Sequence, residues 1–135
     1  MALKRRDGLK VACGSDFIER MPFLEIATNV EVTAQIEGLL LKEASKTLAS
    51  GTGKPEDYVM VRIKGSQLFL FAGTDAPAAF LEVKSIGYPD NGVQRLAGAL
   101  SALVTTHLGV PENRTYVVFA DVKAPMWAHG GETFG

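Results

Sequence analysis

The fold of this chain is decided by one stretch, Met21-Pro22-Phe23-Leu24-Glu25-Ile26-Ala27-Thr28-Asn29-Val30. Its side chains alternate in the manner of a β-strand, with Leu24, Ile26, Thr28 and Val30 on one face. Proline is tolerated as the first residue of a strand, where its missing N–H removes no hydrogen bond of the ladder. We therefore predict a strand that begins at Pro22.

The chemistry of Pro22 depends on what precedes it. If Met21 starts the chain and is removed, the Pro22 nitrogen is a free secondary amine; behind an intact peptide bond it is an amide without basicity. Burial and a nearby Lys54 ammonium would lower the pKa of a free amine. A base with a pKa near the working pH is what proton transfer next to a carbonyl needs. The alternative is that Pro22 merely begins a strand.

Length and composition indicate one globular domain. The chain has 135 residues, of which 47% are hydrophobic and 21% charged, as in ordinary folded proteins. No apolar run approaches the roughly 20 residues of a membrane span. The net charge is −1, and the residues after position 20 are more acidic than basic, which argues against a nucleic-acid partner. One cysteine and two histidines predict neither an internal disulfide nor a metal site.

Residues 1–21 differ from the rest of the chain. They hold basic residues near the start but no apolar stretch of the length that a secretory signal needs. The acidic residues Asp7, Asp16 and Glu19 count against an organellar transit peptide. We predict that residues 1–21 are a leader or upstream extension outside the fold and that residues 22–135 form the domain. A removable pro-segment and a structured extension are the alternatives.

From Pro22 onward the chain repeats itself. Phe23-Leu24-Glu25-Ile26 recurs as Phe80-Leu81-Glu82-Val83, and Gly53-Lys54-Pro55-Glu56-Asp57 recurs as Gly109-Val110-Pro111-Glu112-Asn113. Each copy has a helical pattern between strand and turn. The first runs from a Thr33 cap to Gly51 or Gly53, and the second from Asp90 or Asn91 to Gly109. Each turn then leads into another apolar strand.

The repeat predicts an α/β (α+β) fold. Two β-α-β units form a four-stranded sheet with two helices on one face, because crossover connections keep one hand. Residues 67–71 are predicted as an extra edge strand. The helix-free face still carries apolar side chains, which favours self-association.

The repeat also helps to identify residues that could bind a ligand or take part in catalysis. Lys54 stands where the second copy has Val110, so the turn itself does not need a lysine. Lys54 is then either an arbitrary surface residue or a ligand-binding one.

Ser85-Ile86-Gly87 ends a strand, where backbone N–H groups can meet an anion. Tyr116 can donate a hydrogen bond or simply pack. The tail, residues 127–134, places Trp127 and Phe134 around two glycines, suited to lining a pocket or docking on a neighbour.

Five motifs in order resemble the macrophage migration inhibitory factor and D-dopachrome tautomerase family. They are Met21-Pro22-Phe23-Leu24-Glu25-Ile26, Gly53-Lys54-Pro55, Val83-Lys84-Ser85-Ile86-Gly87, Pro111-Glu112-Asn113-Arg114-Thr115-Tyr116 and the tail. The resemblance covers residues 22–135. It implies a homotrimer with active sites between subunits and keto–enol tautomerisation of dopachrome and of aromatic α-keto acids such as phenylpyruvate.

The resemblance also implies roles for individual residues. Pro22 would be the general acid–base. Lys54 and the backbone at Ile86, next to Ser85, would hold the substrate carboxylate. Tyr116 of a neighbouring subunit would line the ring pocket, with Phe134 and Trp127 nearby.

Three departures from the family pattern affect this interpretation. Ala78-Ala79-Phe80-Leu81 replaces the Cys-x-x-Cys pair of animal members, which excludes a thiol oxidoreductase role. Val118 replaces an amide side chain and is expected to alter ring specificity. The leader blocks Pro22 unless it is removed or never made.

We therefore predict a cofactor-free tautomerase that is cytoplasmic or secreted without a signal peptide. The first alternative is a cytokine-like signalling protein that acts through its surface on a cell-surface receptor. The second is a catalytically silent trimer that retains its leader.

Overall fold

The computed structural model of the chain describes residues 21–135, and it contains the two predicted β-α-β units. The main elements, in chain order, are β1 (Pro22–Thr28), α1 (Ala34–Thr52), β2 (Met60–Lys64), β3 (Ala79–Ser85), α2 (Gly92–Leu108) and β4 (Thr115–Asp121). Short 3₁₀ turns at Glu56–Tyr58 and Glu112–Arg114 lead into β2 and β4. Residues 1–20, which make up nearly all of the predicted leader, lie outside the described part of the chain.

The four long strands form one mixed sheet in the order β2-β1-β3-β4. Strand β1 runs parallel to β2 and antiparallel to β3, and β3 runs parallel to β4. The register pairs Pro22 with Ser85, and Ser85 in turn with Asp121. The first residue of β1 therefore lies at the same end of the sheet as the last residues of β3 and β4.

Both helices begin and end at the residues that their caps predict. The Thr33 hydroxyl accepts a hydrogen bond of 3.3 Å from the Ile36 N–H, which begins α1, and Asn91 is the cap of α2. Gly53 and Gly109 end the two helices with φ of 74° and 70°. This left-handed conformation carries no steric cost for glycine and satisfies the last helical carbonyls.

The core lies between the sheet and the two helices. The Leu24, Ile26 and Thr28 side chains of β1 are fully buried, as the alternation predicts. Fully buried leucines of the helices complete this core: Leu40 and Leu48 of α1, and Leu100 of α2. Leu39 and Val93 fit the helical spacing but are 50% and 41% exposed.

The opposite face of the sheet carries no helix among the described residues. Apolar side chains are exposed there, as predicted: Met60, Phe80, Tyr116 and Val118. Glu25 lies among them and binds the Arg62 guanidinium at 2.7 Å and the Lys64 ammonium at 3.5 Å. This face therefore combines exposed apolar surface with the ion-paired carboxylate of Glu25.

The predicted edge strand at residues 67–71 is wrong. That segment forms no strand in the described chain; the Gln67 N–H donates to the Thr28 carbonyl at 2.9 Å, and Phe71 forms an isolated bridge with Thr74. The Arg114 guanidinium holds the following loop, because it donates hydrogen bonds to four backbone carbonyls between positions 71 and 77 and lies 5.0 Å from the centre of the Phe71 ring. Leu68 and Leu70 remain fully and three-quarters exposed. An apolar pattern makes a segment compatible with a strand, but it does not specify which sheet edge the segment pairs with.

Two further details differ from the prediction. Strand β1 ends at Thr28 rather than Val30, because the Asn29 amide turns away to donate to the carbonyls of Asp75 and Ala76. The tail forms a two-residue hairpin, β5 (Ala128–His129) with β6 (Glu132–Thr133), closed by two glycines of positive φ. Within residues 21–135 no helix has the length and apolar character needed to cross a membrane.

Candidate active site

A cavity of about 580 Å³ opens at the end of the sheet where β1 begins. Pro22 lines it as the first residue of β1, and the Pro22 side chain is buried. Met21, the last residue of the predicted leader, lines it too and is only 6% exposed. The remaining walls come from four parts of the chain: Phe23; Asp57, Tyr58, Val59 and Met60; Lys84; and Val122, Met126, Trp127, Ala128 and His129.

Strand register explains why these residues meet. Phe23 pairs with Met60 on one side and with Lys84 on the other. The 3₁₀ turn before β2 adds Tyr58 to the same end of the sheet, and the tail after β4 adds Trp127. The walls are therefore largely apolar and aromatic, which suits an aromatic ligand with few polar groups.

The predicted anion-binding turn lies beside Pro22. Ser85 is fully buried opposite Pro22, and Ile86 is 4% exposed. Hydrogen bonds fix this turn, since Gly87 N–H donates to Asp121 Oδ1 at 3.0 Å and Val122 N–H donates to the Ser85 carbonyl at 2.8 Å. The Ser85 hydroxyl has no hydrogen-bond partner among the described residues.

Tyr88 anchors the chain just beyond this turn. Its hydroxyl donates to the Ala120 carbonyl at 2.8 Å, and its ring meets Phe119 edge-on at 5.8 Å. Burial, and secondarily the Asp121 carboxylate, raise the pKa of Tyr88 far above its ordinary value. Tyr88 therefore stays neutral and serves as a structural tie between β3 and β4.

Lys54 follows the last turn of α1 and is 5% exposed. Its backbone N–H donates to the Ala49 carbonyl at 2.9 Å. Val110, its counterpart in the second copy, is also fully buried. Lys54 is thus not the exposed surface residue of the simpler interpretation, although it does not line the cavity either. Its role in carboxylate binding stays a prediction.

Tyr116 and Val118 are not brought to Pro22 within one chain. Tyr116 lies five residues before Asp121 on β4, and Asp121 is level with Ser85 and Pro22. At roughly 3.3 Å per residue, Tyr116 is about 17 Å away along the strand direction. Its ring packs against Phe71 at 5.0 Å and remains 60% exposed.

Of the two aromatic residues predicted in the tail, one lines the cavity and the other packs behind it. Trp127 lines the cavity, whereas Phe134 does not. The Phe134 N–H donates to the Trp127 carbonyl at 3.0 Å, and its ring stacks on His129 with the ring centres 6.3 Å apart. Phe134 therefore supports the hairpin that carries Trp127 and His129.

Sequence reasoning missed Tyr58 and Lys84 as wall residues. Lys84 directly precedes the turn that was singled out, and Tyr58 directly follows the Pro-Glu-Asp turn of the first copy. Both positions carried a usable signal, but only strand register shows that they share a cavity with Pro22. Within residues 21–135 no group of three or more His, Cys, Asp or Glu residues is placed to hold a metal ion.

Comparison with known proteins identifies the family. The family described as "Macrophage migration inhibitory factor (MIF)" matches residues 21–135. A macrophage migration inhibitory factor homolog of Trichuris trichiura is 40% identical over 84% of this chain and 100% of its own length. The homolog of Brugia malayi is 38% identical over 85% of this chain and 100% of its own length.

Solved structures agree with these sequence relatives. The homologue from Prochlorococcus marinus has a TM-score of 0.79 at 35% identity, over 84% of this chain and 99% of that one. The Toxoplasma gondii factor has a TM-score of 0.79 at 39% identity, over 83% and 99%. On the family match and on these identities, the chain belongs to the macrophage migration inhibitory factor family.

Proposed function

We propose that this protein is a cofactor-free keto–enol tautomerase for aromatic α-keto acids such as phenylpyruvate, and for dopachrome, with the Pro22 amine as general acid–base. Family membership supports an isomerase of the tautomerase superfamily at a general level. The observation that carries the finer proposal is that Pro22 lines a largely apolar, aromatic cavity as the first residue of a strand. The proposal requires that Met21 be removed, so that the Pro22 nitrogen is a free amine.

The chemistry needs one base that both accepts and returns a proton. The Pro22 nitrogen takes a proton from the carbon next to the keto group, and the C–H electron pair becomes the C=C bond of the enol. The carbonyl π electrons move onto oxygen, which takes up a proton from solvent water. In reverse, the prolinium returns its proton to carbon. Burial of the ring disfavours the charged amine and so lowers its pKa toward the range that such a base requires.

Substrate orientation is assigned to five residues of the chain. Lys54 and the Ile86 backbone would hold the α-carboxylate, as the family resemblance implies, and the buried Ser85 hydroxyl would take part. A cation near the carboxylate and the developing enolate stabilises the charge that forms in the transition state. Trp127 and Tyr58 supply flat apolar walls for an aromatic ring.

The proposed assembly is a homotrimer in which a neighbouring subunit completes each site. Two observations support it. Tyr116 and Val118 are exposed on the helix-free face, and they lie about 17 Å and about 10 Å along the strand direction from the Pro22 of their own chain. Leu68 and Leu70 are exposed in a segment that has no strand partner among the described residues. Packing between copies would bury this apolar surface.

Signalling through the protein surface is a second candidate function. It is favoured by the names of the relatives, which include macrophage migration inhibitory factor of Mus musculus at 33% identity. A receptor would be the partner in that case, and Pro22 would not be required. A Pro22→Gly protein that keeps full cytokine activity on macrophages would separate this function from catalysis.

Enol consumption tests the enzymatic proposal directly. Protein whose first residue is Pro22 by intact mass is mixed with the enol form of phenylpyruvate, and the loss of enol absorbance is followed with and without EDTA. We expect rapid conversion that EDTA does not change. Pro22→Gly keeps an amine but loses the rigid ring, so it should retain only partial activity. Conversion no faster than in buffer would refute the proposal.

A further inference from the structure

Lys84 is a cation in the candidate active site that neither the repeat nor the family resemblance assigns to it. It lies on β3, pairs with Phe23 of β1 and immediately precedes Ser85, the partner of Pro22. Its side chain lines the same cavity as Pro22 and is exposed. A flexible four-carbon stem can carry the ammonium to different points of the cavity.

The surroundings of Lys84 leave its charge available to a ligand. Lys84 belongs to none of the ion pairs found among the described residues, which include those of Glu25 with Arg62 and Lys64 and of Glu43 with His107. Apart from Asp57 and His129, the other cavity walls are apolar or aromatic. Once a ligand displaces water from these walls, the Lys84 ammonium gains more from an anion than it would in open water, because the local dielectric constant is then lower.

We propose that Lys84 determines specificity by binding a second anionic group on the substrate, so that the site favours α-keto acids with an additional carboxylate remote from the keto group. The inference rests on the proposed function, in which Lys54 and Ile86 hold the first carboxylate. Asp57 lines the same cavity and carries the opposite charge, so it should have the opposite effect on a second anionic group. Its carboxylate repels a second anionic group, whereas the Lys84 ammonium attracts it.

The experiment compares two substrates that differ by one charge. Phenylpyruvate and its para-carboxylate derivative are assayed with protein that begins at Pro22 and with three variants: Lys84→Met, Asp57→Asn and Lys46→Met. Methionine keeps the length of the lysine stem and removes its charge. Lys46 is the matched control, because it is an exposed lysine of α1 that does not line this cavity.

Lys84→Met should lower kcat/KM for the dicarboxylate about tenfold and leave phenylpyruvate within about twofold, as expected for one lost charge-assisted contact. Asp57→Asn should raise the ratio of dicarboxylate to phenylpyruvate, and Lys46→Met should leave it unchanged. Equal losses on both substrates in Lys84→Met, or no loss on the dicarboxylate, would overturn the proposal.

Calorimetric binding of the same two acids separates this inference from the proposed function. If no variant turns over phenylpyruvate, the tautomerase proposal fails, but a weaker Kd for the dicarboxylate alone in Lys84→Met still supports the second anion site. If Lys84→Met binds both acids like the parent protein, the Lys84 proposal fails whatever the turnover.

Discussion

Pro22 and Ser85 lie directly opposite each other in the antiparallel pair of β1 and β3, and the Ser85 hydroxyl is buried without a hydrogen-bond partner among the described residues. Buried polar atoms nearly always have a partner, so an orphaned one calls for an explanation. Thr28, at the other end of β1, shows the usual case. Its buried hydroxyl donates to the Ala78 carbonyl at 2.8 Å and accepts from the Val30 N–H. The unpaired hydroxyl is thus found at the end of the strand where Pro22 lines the cavity.

Ser85→Ala should change activity without lowering stability. Removing an unpaired buried hydroxyl costs no hydrogen bond, so we expect the free energy of unfolding to stay within about 1 kcal/mol of the parent value or to rise. The KM for phenylpyruvate should rise severalfold if the hydroxyl contacts the substrate. Denaturant unfolding and steady-state kinetics measure the two effects.

Thr28→Val is the control for this prediction. It removes a buried hydroxyl that is hydrogen-bonded, and it should destabilise the protein by about 1–3 kcal/mol with KM unchanged. A Ser85→Ala protein that loses as much stability as Thr28→Val, with unchanged KM, would make Ser85 a structural residue.

Lys54→Met should weaken the use of keto acids much more than that of their esters. Lys54 is buried, and Val110 shows that the equivalent turn accommodates an apolar side chain, so methionine should preserve the fold. Loss of a charge-assisted contact is worth roughly 1.5–3 kcal/mol, or about tenfold or more in KM. Kinetics with phenylpyruvate and its methyl ester make the comparison. Equal effects on acid and ester would remove Lys54 from the carboxylate site.

Most of the fold could be predicted because its signals are local. The alternation of β1 determines which side chains face the helices, and Thr33, Gly53 and Gly109 mark helix ends through their own backbone chemistry. The segment at residues 67–71 shows the limit of such signals. Its apolar residues are compatible with a strand, but pairing depends on an edge that the sequence of the segment does not specify.

The site was less predictable, because the alignment of neighbouring strands determines which residues meet in the cavity. Lys84 enters the cavity through its pairing with Phe23, and two different strands must be aligned before that is apparent. Tyr116 is the opposite case, because register keeps it out of the cavity of its own chain. The resemblance assigns it to the ring pocket, yet register separates it from Pro22 within one chain. A residue of this kind can reach the pocket only from another subunit.

Mixed trimers should therefore recover activity from two impaired chains. Pro22→Gly loses the rigid ring that positions the amine base, and Tyr116→Ala lacks the ring contact, so each homotrimer should be impaired. In trimers refolded from equal amounts, roughly a quarter of the sites would combine an intact Pro22 with an intact Tyr116 of the neighbour. Phenylpyruvate turnover measures the recovery, and sedimentation checks that each variant assembles.

The arrangement of the site determines the outcome of this mixing experiment. If Pro22 and Tyr116 acted within the same chain, no mixture could exceed the average of its two parents. A mixture at that average would contradict the shared site. A monomeric parent protein at micromolar concentration would contradict the trimer itself.

The leader supplies the strictest test of the proposed base. An amide nitrogen shares its lone pair with the carbonyl and cannot act as a base near neutral pH. Protein that retains residues 1–21 should be folded, trimeric and nearly inactive toward phenylpyruvate. Protein started at Met21 should lose this methionine, because the next residue is small, and should be active. Intact mass identifies each N-terminus.

The comparison changes the chemistry of one nitrogen while the sequence of the domain stays the same. Met21 is buried in the cavity beside Pro22, so the retained leader also fills part of the space that a substrate would use. Cleavage of the purified long form to expose Pro22 should therefore restore both the base and the room for the ring, and activity should rise to that of the short form. Full activity with a mass-verified intact leader would mean that Pro22 is not the base, and the proposed mechanism would have to be withdrawn.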